Sequence, residues 1–153
     1  MAIDTPFPSQ PGSYALVFEI SREVEVLVGR AGTHLFPAGT YIYAGSAQGS
    51  GGLRARIGHH LRSTSRPHWH LDYVLPYATA RCCYYTVSQI KMECEWSRRL
   101  AGLPGARVVA PGFGSSDCKA GCLAHLYHWD YPLDENTLLT NLTLSKLIVS
   151  TQR

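Results

Sequence analysis

Residues 39–62 read GTYIYAGSAQGSGGLRARIGHHLR, and the fold turns on how this stretch is read. It opens with Thr40, Tyr41, Ile42 and Tyr43, an aromatic and β-branched run that favours a strand. Residues 45–52 follow, with four glycines and two serines in eight positions. Leu53, Ile57 and Leu61 then recur every fourth residue, which lays one apolar stripe along a helix over about residues 52–63. Strand, glycine-rich turn and basic helix together make a place to hold phosphate. Glycines let the backbone come close, and a helix N-terminus offers N–H groups and positive dipole. Arg54, Arg56, His59, His60 and Arg62 add side-chain donors, with Arg56 and His60 neighbours four residues apart on the helix surface. The stretch lacks G-x-x-x-x-G-K-[ST], which argues against a P-loop NTPase.

Upstream, residues 1–11 hold three prolines and read as an arm, leaving 12–153 as one domain with a C-terminal helical extension. Residues 14–20 (YALVFEI) are nearly all apolar, as in a strand buried on both faces. Residues 24–28 (VEVLV) read as its hairpin partner, and residues 29–39 as a connection broken by glycine and proline. Downstream, residues 82–87 predict a strand, and Ser88 a cap for a helix to about Leu100 with Ile90, Cys94 and Ser97 on one face. Val108-Val109 is a short strand candidate and Gly112-Phe113-Gly114 a sharp turn. Residues 125–129 (HLYHW) read as an edge strand. From Asp134, Leu138, Leu139, Leu142, Leu147 and Ile148 suggest a last helix.

A chain of 153 residues with a 45% apolar fraction suits one globular domain with a real core. The net charge of +3 is mild, but residues 54–66 carry four arginines and two histidines without an acid, a local footprint for a polyanion. The N-terminus has no apolar signal region, and no apolar run approaches the ~20 residues of a membrane span. A soluble, cytoplasmic protein is expected, so its five cysteines are read as reduced thiols.

Gly12-Ser13-Tyr14 and Tyr43-Ala44-Gly45 resemble the two halves of a GIY-YIG motif, with serine and alanine in place of the central isoleucines. YAGSA, GLRARIGHHLR, HWHLDY, EC and GFGSSDC followed by HL resemble a subgroup of that nuclease superfamily. Some members of the subgroup are fused to endonuclease III-type repair glycosylases. The resemblance runs over about residues 12–127. It implies an α/β domain of the α+β type, a small, largely antiparallel sheet flanked by helices. It also implies a metal-dependent endonuclease acting on DNA rather than RNA, in repair or processing. The implied catalytic residues are Tyr14, Tyr43, Arg56, His60 and Glu93. Arg54 rivals Arg56, and Glu95 is the alternative to Glu93.

The chemistry fits these residue types. Either tyrosine would need its pKa lowered from near 10 to act as base. Arg56 would clamp phosphate through its planar fork, His60 would orient a tyrosine or shuttle a proton, and Glu93 would hold Mg²⁺ or Mn²⁺. Gly45, Ser46, Arg54, Arg62, His68 and His70 are candidates for binding substrate. Asp72 is a further candidate to line that cleft, while Trp69 and Tyr73 are read as packing. Cys118, Cys122 and His125 have the ligand types for zinc, beside Asp117, with Cys82, Cys83 or His128 considered as the fourth. Two other function classes remain: an idle nucleic-acid-binding module of the same fold, and a zinc-stabilised interaction domain.

Overall fold

A computed structural model describes residues 7–62, 66–115, 118–142 and 150–151. In chain order the strands are β1 (Gly12–Ile20), β2 (Val24–Leu27), β3 (Thr33–Phe36), β4 (Gly39–Ala47), β5 (Thr79–Val87), β6 (Leu126–Trp129) and β7 (Ser150–Thr151). The α-helices are α1 (Gly52–Leu61), α2 (His70–Val74), α3 (Glu93–Ala101) and α4 (Glu135–Leu142). The main sheet has the order β6-β4-β1-β5-β7, with every pair antiparallel. This is the mixed, largely antiparallel fold that the sequence predicts.

β1 is apolar from Tyr14 to Phe18 because both faces of the central strand are covered. Tyr14, Leu16, Phe18 and Ile20 share a core with Leu53 and Ile57 of α1 and Leu71 and Val74 of α2. Ala15 and Val17 join Trp96 and Leu100 of α3 and Leu138 and Leu142 of α4 in a second core. Each of the large apolar side chains so buried contributes about 1.5–3 kcal/mol. The same alternation in β4 sends Tyr41 and Tyr43 to the first face and Ile42 and Ala44 to the second. Tyr14 and Tyr43 therefore lie on one side of the sheet.

Several local expectations give way to long-range pairing. Residues 24–28 do not pair with β1, whose edges are taken by β4 and β5. Instead β2 pairs with β3 in a separate two-stranded sheet, inside what reads as a connection. The helix expected from Ser88 starts only at Glu93. Ser88 Oγ accepts the Ile90 N–H in a local turn, and Ile90 is 71% exposed. Ser13 Oγ takes the Met92 N–H at 2.9 Å and pins the chain to the sheet before the helix begins. At Val108-Val109 there is no strand, only a single pairing of Arg107 with His128. Leu147, Ile148 and Asp117 lie outside the described residues.

Gly58 sits inside α1, where glycine costs stability through backbone entropy. A Cβ there would meet only the end of the Arg62 side chain, at an ordinary 3.5 Å. Gly58→Ala is therefore expected to stabilise the fold by about 0.5–1 kcal/mol, read from the urea midpoint. Among the described residues, no helix is long and apolar enough to cross a membrane.

Candidate functional site

The loop before α1 does not leave a bare helix N-terminus for phosphate. The first N–H groups of a helix need partners, and here they have them. Gly52 N donates to Gly49 O, Leu53 N to Gln10 O, Arg54 N to Pro8 O and Ala55 N to Gly51 O. Residues 7–11 thus serve as the cap of α1, held by the buried Phe7 ring against Tyr85 and by Arg54 Nε on Phe7 O. Gly51 and Gly52 adopt positive φ, and a Cβ on Gly52 would strike the carbonyls of Ser9 and Gln10. The glycines admit the chain's own N-terminal segment, which corrects the expected backbone cradle.

Anion-binding capacity lies instead in side chains one turn further on. An open groove of about 320 Å³ runs beside the loop, lined by Gly49, Ala55, Arg56, His59, Arg62 and Trp69 among others. The Arg56 guanidinium is stacked 4.1 Å over the Trp69 ring and donates to Ser46 O at 2.8 Å. Trp69 therefore packs and also serves as the platform for that cation. Arg54 is turned toward Phe7 and does not line the groove.

Tyr14, Tyr43 and His60 converge next to the Trp69 ring, which lies 5.4 Å from His60, and none of the three lines the groove itself. The two phenol rings have centroids 6.2 Å apart, and His60 lies 5.7 Å from Tyr14 and 6.2 Å from Tyr43. Gly45 makes room for them, because a Cβ there would come within 2.5 Å of the Tyr14 hydroxyl and 2.9 Å of the Tyr43 ring. Tyr14 Oη meets His60 Nε2 at 2.8 Å, and His60 Nδ1 meets Asp72 Oδ1 at 2.9 Å. Tyr14 is 0% exposed and His60 3%.

Burial pushes the Tyr14 phenol well above its ordinary value and Tyr43 adds to the rise, while Arg56 opposes both by charge and hydrogen bond. Burial also depresses the His60 pKa, outweighing the bond and charge of Asp72. Asp72 moves the other way against the cost of its own burial. Hydrogen bonds from His60 and from the Trp69 and His68 N–H groups hold its carboxyl well below the usual range.

These shifts make the fold acid-sensitive. His60 in the folded chain lies below its unfolded value near 6.5, so the unfolded chain binds a proton first. Its contribution is complete above about pH 6.5 and drains as the pH falls toward the folded value. Asp72 acts in the same direction lower down, its contribution complete above about pH 4 and lost as the pH falls further. Urea midpoints at pH 7.5, 6.0 and 5.0 should decline stepwise, and the decline should flatten in His60→Gln.

Glu93 comes from α3 and does not line the groove; it is tied to Arg56 through Ser46. Ser46 Oγ donates to Glu93 Oε1 at 2.7 Å. Ser13 Oγ, 2.9 Å away, must then donate to Ser46 Oγ while accepting from Met92 N. Ser13 is therefore part of a polar chain that anchors the start of α3. Ser46 thus links Arg56, through its carbonyl, to Glu93, through its hydroxyl. Glu95 is paired with Arg99 one turn along the helix. His70 accepts the Gly114 N–H at 2.8 Å and packs on Phe113, while His68 lies against Trp69. Neither His68 nor His70 lines the groove.

Cys94, Cys118, Cys122 and His125 form a second cluster that can hold a metal ion. Their ligand atoms all lie within 4.8 Å of one another, with Cys94 Sγ 3.2 Å from Cys118 Sγ and 3.6 Å from His125 Nε2. The fourth member is Cys94 of α3, not Cys82, Cys83 or His128. Cys83 is buried in the first core, and His128 Nε2 is bound to Ala38 O at 2.9 Å. Burial opposes ionisation of Cys118, but the Cys122 N–H, the Cys94 thiol, the Ala120 N–H and His125 bring it down to about 6. Burial and the two neighbouring thiols push Cys94 up to about 12. All five cysteines are unbridged.

Sequence reasoning missed the occupant of the helix N-terminus, the use of Ser13 and the fourth cluster residue. The available signal for Cys94 was its ligand type directly beside Glu93. A family model described as "Domain of unknown function DUF123" matches residues 13–146, and the chain belongs to that family. No curated protein and no solved structure matches it.

Proposed function

We propose that this DUF123-family domain is a metal-dependent endonuclease that hydrolyses phosphodiester bonds, with DNA as its substrate and repair or processing as its setting. The observation that carries the reading is the convergence of Tyr14, Tyr43 and His60 next to Arg56 and Trp69, which line the groove together with Arg62. The preference for DNA rests on the resemblance to GIY-YIG domains fused to repair glycosylases. Arg56 and Arg62 bind the phosphodiester, with Arg56 presenting its fork to the phosphoryl oxygens as charge builds on them. Burial raises the Tyr14 pKa, the reverse of the lowering a tyrosinate base needs, so a neutral tyrosine would take the proton of the attacking water only while passing on its own.

Glu93 is the carboxylate suited to Mg²⁺ or Mn²⁺, since it is half-buried and oriented by Ser46. Such an ion would supply Lewis-acid stabilisation of the phosphoryl oxygens. The reading is tested by incubating linear, nicked and branched DNA and matched RNA with the protein and Mn²⁺, with Arg56→Ala as control. Cleavage of DNA by the wild type but not by the variant supports it. No cleavage across these substrates, with Mn²⁺ or with Mg²⁺ in its place, overturns it.

A second reading, an idle nucleic-acid module, is favoured by one observation. Tyr14 is 0% exposed, so hydrolysis requires the residues covering it to yield when substrate binds. Salt-dependent binding without turnover identifies that module.

The ion of the cysteine–histidine cluster is zinc on this reading. Three sulfurs and one imidazole are a donor set for tetrahedral zinc, whose bond lengths place ligand atoms about 3.5–3.8 Å apart. The cluster needs only small shifts to match. With DNA binding absent, the zinc would instead mark a protein-interaction domain. Metal content per purified chain tests the assignment, with one zinc expected.

A further inference from the structure

Among the described residues, Asp72 is the only acid that is buried, at 4% exposure. A carboxylate taken out of water must be fully satisfied, and this one is. Oδ1 meets His60 Nδ1 at 2.9 Å, while Oδ2 meets His59 Nε2 at 2.9 Å and the His68 and Trp69 N–H groups at 3.0 Å each. An ionised carboxylate accepts and never donates, so each of these partners donates to it. The hydrogen of a neutral His60 therefore sits on Nδ1, which leaves Nε2 with its lone pair directed at Tyr14. The 2.8 Å contact can then run only from the Tyr14 hydroxyl to His60 Nε2.

We propose that Asp72 is a positioning residue for the hydrolytic reaction: by fixing the His60 tautomer it makes His60 the acceptor of the Tyr14 proton. The proposal rests on the nuclease reading above. As water attacks phosphorus, the new P–O bond forms and the bond to the departing oxygen breaks. The water's proton passes to the Tyr14 oxygen while the Tyr14 proton passes to His60 Nε2. The imidazolium is matched by Asp72, which keeps its charge throughout. Reversal of the two transfers returns one proton, which goes to the departing oxygen. Arg56 holds the site's positive charge on the groove side, and Tyr43 lies against both Tyr14 and His60.

Asp72→Asn preserves shape but reverses this order. Three donors, the His68 and Trp69 N–H groups and His59 Nε2, converge on the Oδ2 position, so the amide oxygen takes that place. The NH₂ is then aimed at His60 Nδ1, which must accept. The ring hydrogen moves to Nε2, and Tyr14 faces a donor where it had an acceptor.

The experiment uses the whole chain, labelled with ¹⁵N-histidine, and reads which ring nitrogen of His60 carries hydrogen from two-bond ¹H–¹⁵N spectra. The wild type should show the Nδ1–H form and Asp72→Asn the Nε2–H form. Turnover on saturating DNA should fall roughly 10³–10⁴-fold in the variant, the loss expected for a wrong tautomer, with little change in half-saturation. An Nε2–H form in the wild type overturns the proposal without reference to any variant. So does an unchanged tautomer in Asp72→Asn, or a switched tautomer with full turnover, which leaves the nuclease reading standing. Wild type that shows the Nδ1–H form but cleaves nothing overturns the nuclease reading and removes the positioning role with it.

Discussion

Cys94→Ser is expected to abolish stoichiometric zinc and lower the melting temperature by roughly 10 °C. The size follows from linkage. An ion present at about 100–1,000 times its dissociation constant contributes about 2.7–4.1 kcal/mol to the folded state. For a domain of this size each kcal/mol corresponds to roughly 2–4 °C. Cys94 matters more than its share of the ligand set because it is the one ligand supplied by α3. Cys118, Cys122 and His125 all belong to the segment between α3 and β6. Without Cys94, an ion held by the other three no longer ties that segment to the helix that carries Glu93.

The measurement is zinc content with melting curves, before and after a zinc-selective chelator and with and without dithiothreitol. The wild type should lose stability to the chelator and be indifferent to the reductant. The opposite pattern would mean that Cys94 and Cys118, 3.2 Å apart at sulfur, join as a disulfide instead. Two cores that do not involve the cluster keep most of the fold in place. The expected phenotype is therefore a weakened domain and not an unfolded one.

Periodicity carried the parts of this molecule that depend on near neighbours in sequence. The apolar run of residues 14–20 marks a strand covered on both faces, and the fourfold spacing of Leu53, Ile57 and Leu61 marks α1. Tyr14 and Tyr43 share a face because both strands alternate and their register pairs Tyr14 with Gly45 and Leu16 with Tyr43. What could not be read locally depends on partners distant in the chain. Residues 24–28 have hairpin character, yet their partner is chosen by which strands have already taken the edges of β1. The glycines before α1 look like a phosphate loop because the pattern records backbone freedom, not what fills the space. Here the filler is the carbonyls of Pro8 and Gln10. Cys94 lies 24 residues before Cys118, and only the packing of α3 brings the two sulfurs together. The role of Ser13 likewise lies in a hydrogen bond from Met92, 79 residues away.

Arg56→Lys is expected to lower DNA cleavage by roughly 10²–10³-fold at saturating substrate, while leaving affinity nearly unchanged. The substitution keeps one positive charge on a long stem but removes the planar fork. In the native site that plane does two things at once, lying on the Trp69 ring and directing one nitrogen to Ser46 O. Both contacts fix the direction in which the remaining N–H groups point. A lysine ammonium is a point charge that can satisfy Ser46 O or a phosphate oxygen, but it cannot be oriented by stacking. Ground-state attraction to the polyanion depends mainly on charge, so binding and its salt dependence should hold. Stabilisation of the transition state depends on donors already aimed at oxygens whose charge is growing, so turnover should not hold. The comparison requires turnover with saturating DNA and affinity at two salt concentrations, with circular dichroism to show that the variant is folded. Equal turnover in Arg56→Lys would reduce Arg56 to a charge on a binding face. That result would pass the clamp to Arg62, the other arginine lining the groove, since Arg54 is committed to Phe7 O.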